Sequence, residues 1–305
     1  MPVLPNCKLL AVLYQLNAVF LTKRSTLFSL VIALLTALSI VFLTTPSRAL
    51  QAQITPRSPA LGDTISVITQ SQTAPTISFN GKTYPSFDLG NNRHRSLLPT
   101  TPLDRPGRLS IQISAGTETQ TIPITLRNRS FPTQSIWLPP GKDDDGSDAE
   151  FDRIDAFKAI VSSEKLWSGK FARPSQGGVT SGYGIRRYYN GVFAKDYYHR
   201  GIDYAGGSGS AIIAPAAGRV VLIGRESEGF KVHGNCVGLD HGQGVETIYI
   251  HMSRIDVREG DFVRPGQRIG AIGATGSATG PHLHWGLFVH GAAVDPTPWR
   301  TNPFE

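Results

Sequence analysis

Between residues 64 and 126, apolar and polar positions alternate in short runs. They are Thr64-Ile-Ser-Val-Ile68, Thr76-Ile-Ser-Phe79, Arg108-Leu-Ser-Ile-Gln-Ile113 and Gln120-Thr-Ile-Pro-Ile-Thr-Leu126. A period of two puts every other side chain on one face, as a half-buried strand requires. Turn residues separate the runs, and Asn80-Gly81 leads into Lys82-Thr-Tyr84 as a tight hairpin would. The pattern predicts a small β-sandwich over residues 53–140. No catalytic cluster falls in it. His94, within Asn92-Arg-His-Arg95, reads as part of a solvated turn, and the domain reads as a spacer or a substrate-presenting module.

The pattern changes at 141–172. Lys142-Asp-Asp-Asp145 lacks the spaced acids and closing Glu of a calcium loop and reads as an acidic linker. Ser147-Asp-Ala-Glu150 has the capping-box pattern. Phe151, Ile154, Phe157, Ile160 and Val161 follow at near-helical spacing. One amphipathic connector helix is expected, ended by Trp167.

Residues 173–305 return to short, glycine-punctuated strands. In Gly276–Val289, strand geometry turns His282, His284, Gly286 and Phe288 to one face. Leu283, Trp285, Leu287 and Val289 turn to the other, a wholly apolar set that belongs in a core. Two imidazoles then stand side by side, about 6–7 Å apart along the strand. This half also holds His199, His233, His241, His251 and His290. His199 and Asp203, four apart, share one face of a strand, and Thr247-Ile-Tyr-Ile-His251 is a strand ending in histidine. Three histidines with one His/Asp pair suit a mononuclear zinc site, which keeps one position open for water. Spacing alone does not divide His251, His282 and His284 between ligand and catalytic roles. His241 precedes a glycine turn and reads as structural; His233 and His290 read as surface or loop residues.

Composition narrows the classes. The 32 glycines and 21 prolines favour turns and short strands over long helices. The formal charge is +7, but residues 1–52 carry Lys8, Lys23, Arg24 and Arg48 and no acid. No basic run is interleaved with aromatics, which argues against nucleic acid. Cys7 and Cys236 are the two cysteines. Neither lies in a Cys-x-x-Cys, so a metal must be held by His and carboxylate; Cys236 reads as a buried structural thiol.

Ser25–Thr45 is a mainly apolar run preceded by Lys23-Arg24 and followed by small residues up to Ala49 and Ala52. It reads first as a signal peptide cut after Ala49 or Ala52, and second as an uncleaved membrane anchor over 25–45. Either places the remainder outside the cytoplasm, in periplasm, cell envelope or medium.

Together, His199-x-x-x-Asp203 and His282-Leu-His284 resemble the two signature motifs of the lysostaphin-type (LytM-like) zinc endopeptidases, which cut peptides of bacterial peptidoglycan. Supporting segments follow in the family's order: Thr180-Ser-Gly-Tyr-Gly-Ile-Arg186, Ala214-Pro-Ala-Ala-Gly-Arg-Val220, Leu239-Asp-His-Gly242, Tyr249-Ile-His-Met-Ser253 and Val257–Val263. The resemblance covers roughly 175–297. Residues 55–140, ending in Phe131-Pro-Thr-Gln-Ser-Ile136, resemble the β-sandwich that often precedes this domain. Two departures are Tyr183, where Phe is more usual, and Gly286, where an acid is common.

The resemblance implies a mainly β chain: an N-terminal sandwich, a helical connector and a C-terminal open antiparallel or barrel-like peptidase sheet. It implies His199, Asp203 and His284 as ligands of one Zn2+ per chain, and His251 and His282 as the catalytic pair. It implies peptidoglycan as partner of a monomer. Arg186, Tyr188 and Tyr189 are candidates to line the groove; a solvated loop accounts for them equally well. A second class of function is a non-catalytic wall-binding activator of another hydrolase, which loss of a metal ligand would signal; all three are present. A carrier-type hairpin over 257–270 lacks the modifiable lysine, since residues 232–305 contain none.

Overall fold

A computed structural model describes residues 50–140 and 146–304. The leader over 25–45 and the acidic run Lys142–Asp145 lie outside the described residues. Among the described residues no helix is long and apolar enough to cross a membrane.

The N-terminal part is a sandwich of two four-stranded sheets. One sheet runs Gln51–Thr55, Thr64–Gln70, Arg93–Pro99, Phe87–Asp88 and the other Lys82–Tyr84, Thr76–Phe79, Gly107–Ala115, Glu118–Leu126, in those spatial orders. The alternating positions Ile65, Val67, Ile77, Phe79, Ile111, Ile113 and Ile124 interdigitate between them. Asn80 and Gly81 have φ of 49° and 75°, the left-handed pair that matches the twist of a two-residue hairpin. The first strand starts at Gln51, so the sandwich begins ahead of residue 53 and a cut after Ala52 would fall inside this strand.

The expected solvated turn at Asn92–Arg95 is instead the start of a buried strand. His94 and Arg95 are buried because both faces of this strand are covered. Leu98 faces the sandwich core, whereas Leu97 joins the C-terminal core with Trp167, Phe171 and Trp299. Arg95 lies over the Trp167 ring at 4.8 Å and donates to the Phe304 carbonyl. The sandwich is therefore docked on the C-terminal domain. Trp299 Nε1 donates to Thr64 Oγ1 at 3.1 Å, and Arg129 pairs with Asp295 at 2.7 Å.

Among its described residues the connector contains one helix, α1, Asp148–Lys158. Ser147 caps it, its hydroxyl accepting from the Glu150 N–H at 3.1 Å. Ile154 and Phe157 are buried, but Phe151 and Val161 are exposed. The helix ends at Lys158, well short of Trp167. The chain then runs beside the turn after Cys236–Gly242, with Gln243 N–H donating to Ser162 O and Leu166 N–H to His241 O.

The C-terminal domain is built on one large antiparallel sheet. Its order is Val179–Ser181, Gly201–Ala205, His282–Val289, Val245–Ile250, Cys236–Gly242, Gly218–Gly224, Phe262–Val263, with Ala292–Val294 paired to the end of His282–Val289. The sheet is open and does not close into a barrel. Leu283, Trp285, Leu287 and Val289 point into one core with Tyr204 and Tyr249. Phe288 and Ile248 point into the other, where Phe157 of α1 covers them. A short helix, α2, Pro296–Thr301, capped by Asp295, closes the domain through Trp299.

Candidate metal centre and groove

Two strand registers assemble the centre. Gly201–Ala205 pairs antiparallel with His282–Val289, setting Asp203 opposite His284. Val245–Ile250 flanks the other side, setting Ile250 opposite His284 and delivering His251 just past its end. His199 lies ahead of Gly201–Ala205 rather than within it, and its N–H and C=O bond to Ile185 O and Gly184 N–H. Gly201 leaves room for the His284 ring, since a Cβ there would lie 2.8 Å from its Nε2.

His199 Nε2, Asp203 Oδ1 and His284 Nδ1 meet at mutual distances of 2.9, 2.9 and 2.8 Å. All three residues are buried. His199 Nδ1 lies 2.7 Å from the Gly182 carbonyl. A carbonyl only accepts, so Nδ1 donates to it and Nε2 is the ring nitrogen turned to Asp203 and His284. Nε2 faces a carboxylate oxygen at 2.9 Å, as two donors turned to one cation do. Imidazole and carboxylate are the donors zinc takes. Burial would raise the Asp203 carboxyl, but the His199 and His284 imidazoles at hydrogen-bonding distance hold it well below the usual range. Burial pushes His284 down to about 4 despite its bond to Asp203. An anion and two neutral imidazoles are the forms in which these groups ligate.

Beside this triad stand two further imidazoles. The His251 and His282 ring centroids are 4.8 Å apart, and His251 lies 6.5 Å from His284. His251 Nδ1 bonds to Thr275 O and His282 Nδ1 to Gly280 O, both at 2.8 Å. Each ring therefore keeps Nε2 as a proton acceptor. Burial, then the neighbouring His282 and His284 rings, push His251 well below the usual histidine range, so it is neutral. Its backbone has φ of 63°, a left-handed conformation a non-glycine residue adopts only when its surroundings hold it there.

Asp203, His251, His282 and His284 line a groove of about 390 Å³, with His199 buried behind them. One wall is Ser277–Pro281. The other was not anticipated: Thr133–Ile136, leaving the sandwich, pairs in parallel with Arg186–Tyr189, and Gln134, Ile136 and Leu138 face the groove. Of the three lining candidates, Tyr189 lies in the wall, whereas Arg186 and Tyr188 do not. Arg186–Tyr189 is a strand, so alternate residues turn away. Arg186 packs over Phe193 and bonds to the Lys195 carbonyl, and Tyr188 packs on Phe193 at 5.0 Å. The residue missed is Arg187, which donates to Asp203 Oδ2 at 3.2 Å. Read as a strand, Arg-Arg-Tyr-Tyr would have put 187 and 189 on one face.

The remaining histidines are structural. His241 is buried, bonding Ala217 O and Thr247 Oγ1. His233 bonds Glu150, and His290 packs on Tyr84 of the sandwich. Cys236 is buried.

Residues 197–296 match peptidase family M23. The chain is 40% identical over 97 residues to the peptidoglycan DD-endopeptidase ShyA of Vibrio cholerae, which is 32% of this chain and 22% of that protein. It is 36% identical over 123 residues to lysostaphin of Staphylococcus staphylolyticus, 39% of this chain and 25% of that one. The chain thus spans about a quarter or less of these relatives' length. A crystal structure of a putative peptidase M23 from Pseudomonas aeruginosa is similar at a TM-score of 0.59 and 27% identity, covering 79% of this chain and 95% of that one. Residues 197–296 are a peptidase family M23 domain.

Proposed function

We propose that this protein is an extracytoplasmic zinc-dependent endopeptidase that hydrolyses peptide bonds in peptidoglycan stem or cross-link peptides. The observation that carries this reading is the convergence of His199 Nε2, Asp203 Oδ1 and His284 Nδ1 beside two imidazoles whose Nε2 atoms are free. The similarity to a peptidoglycan DD-endopeptidase supports the substrate class.

His199, Asp203 and His284 would hold one zinc ion, which supplies Lewis acidity and acidifies bound water. His251 and His282 supply the proton chemistry. A neutral imidazole at Nε2 accepts the proton of the attacking water, and once protonated it hydrogen-bonds the oxyanion and returns the proton to the leaving amine. The carbonyls of Thr275 and Gly280 fix the tautomer and orientation of both rings. The groove wall from Gln134 to Leu138 and Ser277–Pro281 orients an extended peptide across them.

The test compares the purified protein with His282→Ala and His284→Ala on isolated peptidoglycan, reading zinc content and muropeptides. About one zinc per chain and new peptide-cleaved muropeptides are expected. His284→Ala loses zinc and cleavage, whereas His282→Ala keeps zinc and loses cleavage. Wall binding with neither zinc nor cleavage would replace this reading by that of a non-catalytic activator.

A further inference from the structure

Glu150 sits on α1, outside the family-matched segment, yet it is 1% exposed. The capping pattern assigns its carboxylate to the start of its own helix. The structure turns it the other way, into the loop Lys231–His233. Its oxygens accept the N–H groups of Lys231 at 2.8 Å, Val232 at 3.1 Å and His233 at 2.8 Å. They also meet His233 Nδ1 at 2.6 Å. Burial would raise this carboxyl, but the His233 and Val232 bonds outweigh it and lower it, so it is an anion. One buried charge thus organises three consecutive amides.

That loop in turn holds the backbone of His251 and of the segment that leads to His282. The His233 carbonyl accepts the N–H of His251 at 3.0 Å, at the residue held with positive φ. The Val232 carbonyl accepts the N–H of Ser277 at 3.0 Å, in the segment that leads to His282. The same segment offers Thr275 O to His251 Nδ1, and Thr275 Oγ1 accepts from Asn235 N–H at 3.0 Å. The two backbones touch: a Cβ on Gly234 would lie 2.5 Å from Thr275 C, and one on Gly276 2.4 Å from Gly234 N. No slack exists between the loop Glu150 clamps and the turn that orients His251.

We infer that Glu150 is a positioning residue for catalysis, clamping 231–233 so that His251 and the 275–282 segment hold their catalytic geometry. Through this one side chain the connector reaches the catalytic loops rather than serving as a tether alone. This rests on the proposed peptidase reading. Glutamine at 150 has one acceptor oxygen in place of two and no charge, so it cannot serve three amides and an imidazole.

The test uses the full chain with Glu150→Gln, and Ile154→Ala as a control that removes core packing from the same helix. Two readouts are taken: kcat and KM on a soluble cross-linked muropeptide with zinc content, and amide hydrogen exchange. Glu150→Gln is expected to lower kcat about tenfold or more, with KM within about twofold and zinc retained. Exchange at His251 and Ser277 should rise about tenfold or more above that at strand amides. Ile154→Ala is expected to lower the melting temperature while keeping kcat and both amides protected. Unchanged kcat, or unchanged exchange at His251 and Ser277 in Glu150→Gln, would overturn the inference. If the unsubstituted protein cleaves no muropeptide, the peptidase reading fails, and the exchange readout still decides whether Glu150 holds the His251 loop.

Discussion

Arg187 Nη2 lies 3.2 Å from Asp203 Oδ2, the carboxylate oxygen that does not face His199 and His284. The guanidinium also reaches Tyr189 Oη at 3.2 Å and Gln134 Oε1 at 3.3 Å. One side chain thereby ties the carboxylate of the candidate metal centre to both strands of a groove wall. A ligand's outer partners fix its orientation, and their loss typically costs 10–100-fold in metal affinity. Arg187→Ala is expected to weaken zinc binding by about that factor. Competition against a chelator measures it; affinity equal to that of the unsubstituted protein would refute the coupling.

Glu246 is buried, and both its carboxyl oxygens lack a hydrogen-bond partner in the structure. Burial, then the Asp240 charge, push its carboxyl up to about 10, so the folded protein keeps it protonated. A raised carboxyl contributes stability below the unfolded value of about 4.3, and that stability is lost as pH rises towards 10. Glu246→Gln removes the proton that must be held. At pH 8 it should stabilise the fold by roughly 1–3 kcal/mol, and near pH 4 it should be close to neutral. Urea unfolding at both values is decisive; a pH-independent difference rules out the protonated form.

His241 shows the opposite sign. Burial pushes its imidazole down to about 4, so folding selects the neutral form. Its contribution is intact above the unfolded value near 6.5 and is lost as pH falls towards 4. His241→Asn cannot titrate. The drop in unfolding free energy between pH 7 and pH 4.5 should be smaller in this variant by about 2 kcal/mol. An identical acid limb in both proteins would show that His241 does not carry this dependence.

Tyr183 stands where phenylalanine is more usual, and the structure supplies the reason. Its hydroxyl donates to the Ala293 carbonyl at 2.7 Å, and Tyr198 donates to the same oxygen at 2.9 Å. Its ring packs against Gly62 of the sandwich, whose φ is 94° and whose Cβ would lie 2.6 Å from the ring. Tyr183→Phe leaves the carbonyl served by Tyr198, so about 0.5–1 kcal/mol of stability should be lost. Gly62→Ala meets both the clash and the left-handed backbone and should lose more, about 1–3 kcal/mol. Denaturant titration ranks the two, and the reverse order would contradict the packing.

The chain's alternation marked the main strands of the sandwich and the strand His282–Val289, and residue chemistry singled out His199, Asp203, His251, His282 and His284 without dividing them between ligand and catalytic roles. Both are local consequences of a period-two backbone and of residue chemistry. A strand covered on both faces escapes that logic. Arg93–Pro99 carries charge into the space between two domains, so its polar start reads as a turn until Trp167 and the Phe304 carbonyl are seen to receive Arg95. The same holds for Glu150, whose sequence neighbours name a helix cap and whose partners lie about eighty positions away. The groove wall depends on a parallel pairing between Thr133–Ile136 and Arg186–Tyr189 that no local pattern encodes. What the sequence by itself determined is which residues can ligate and which strand faces are apolar. The tertiary structure decided which oxygen, nitrogen and carbonyl each one meets, because those distances are set by strand registers and domain docking far apart in the chain.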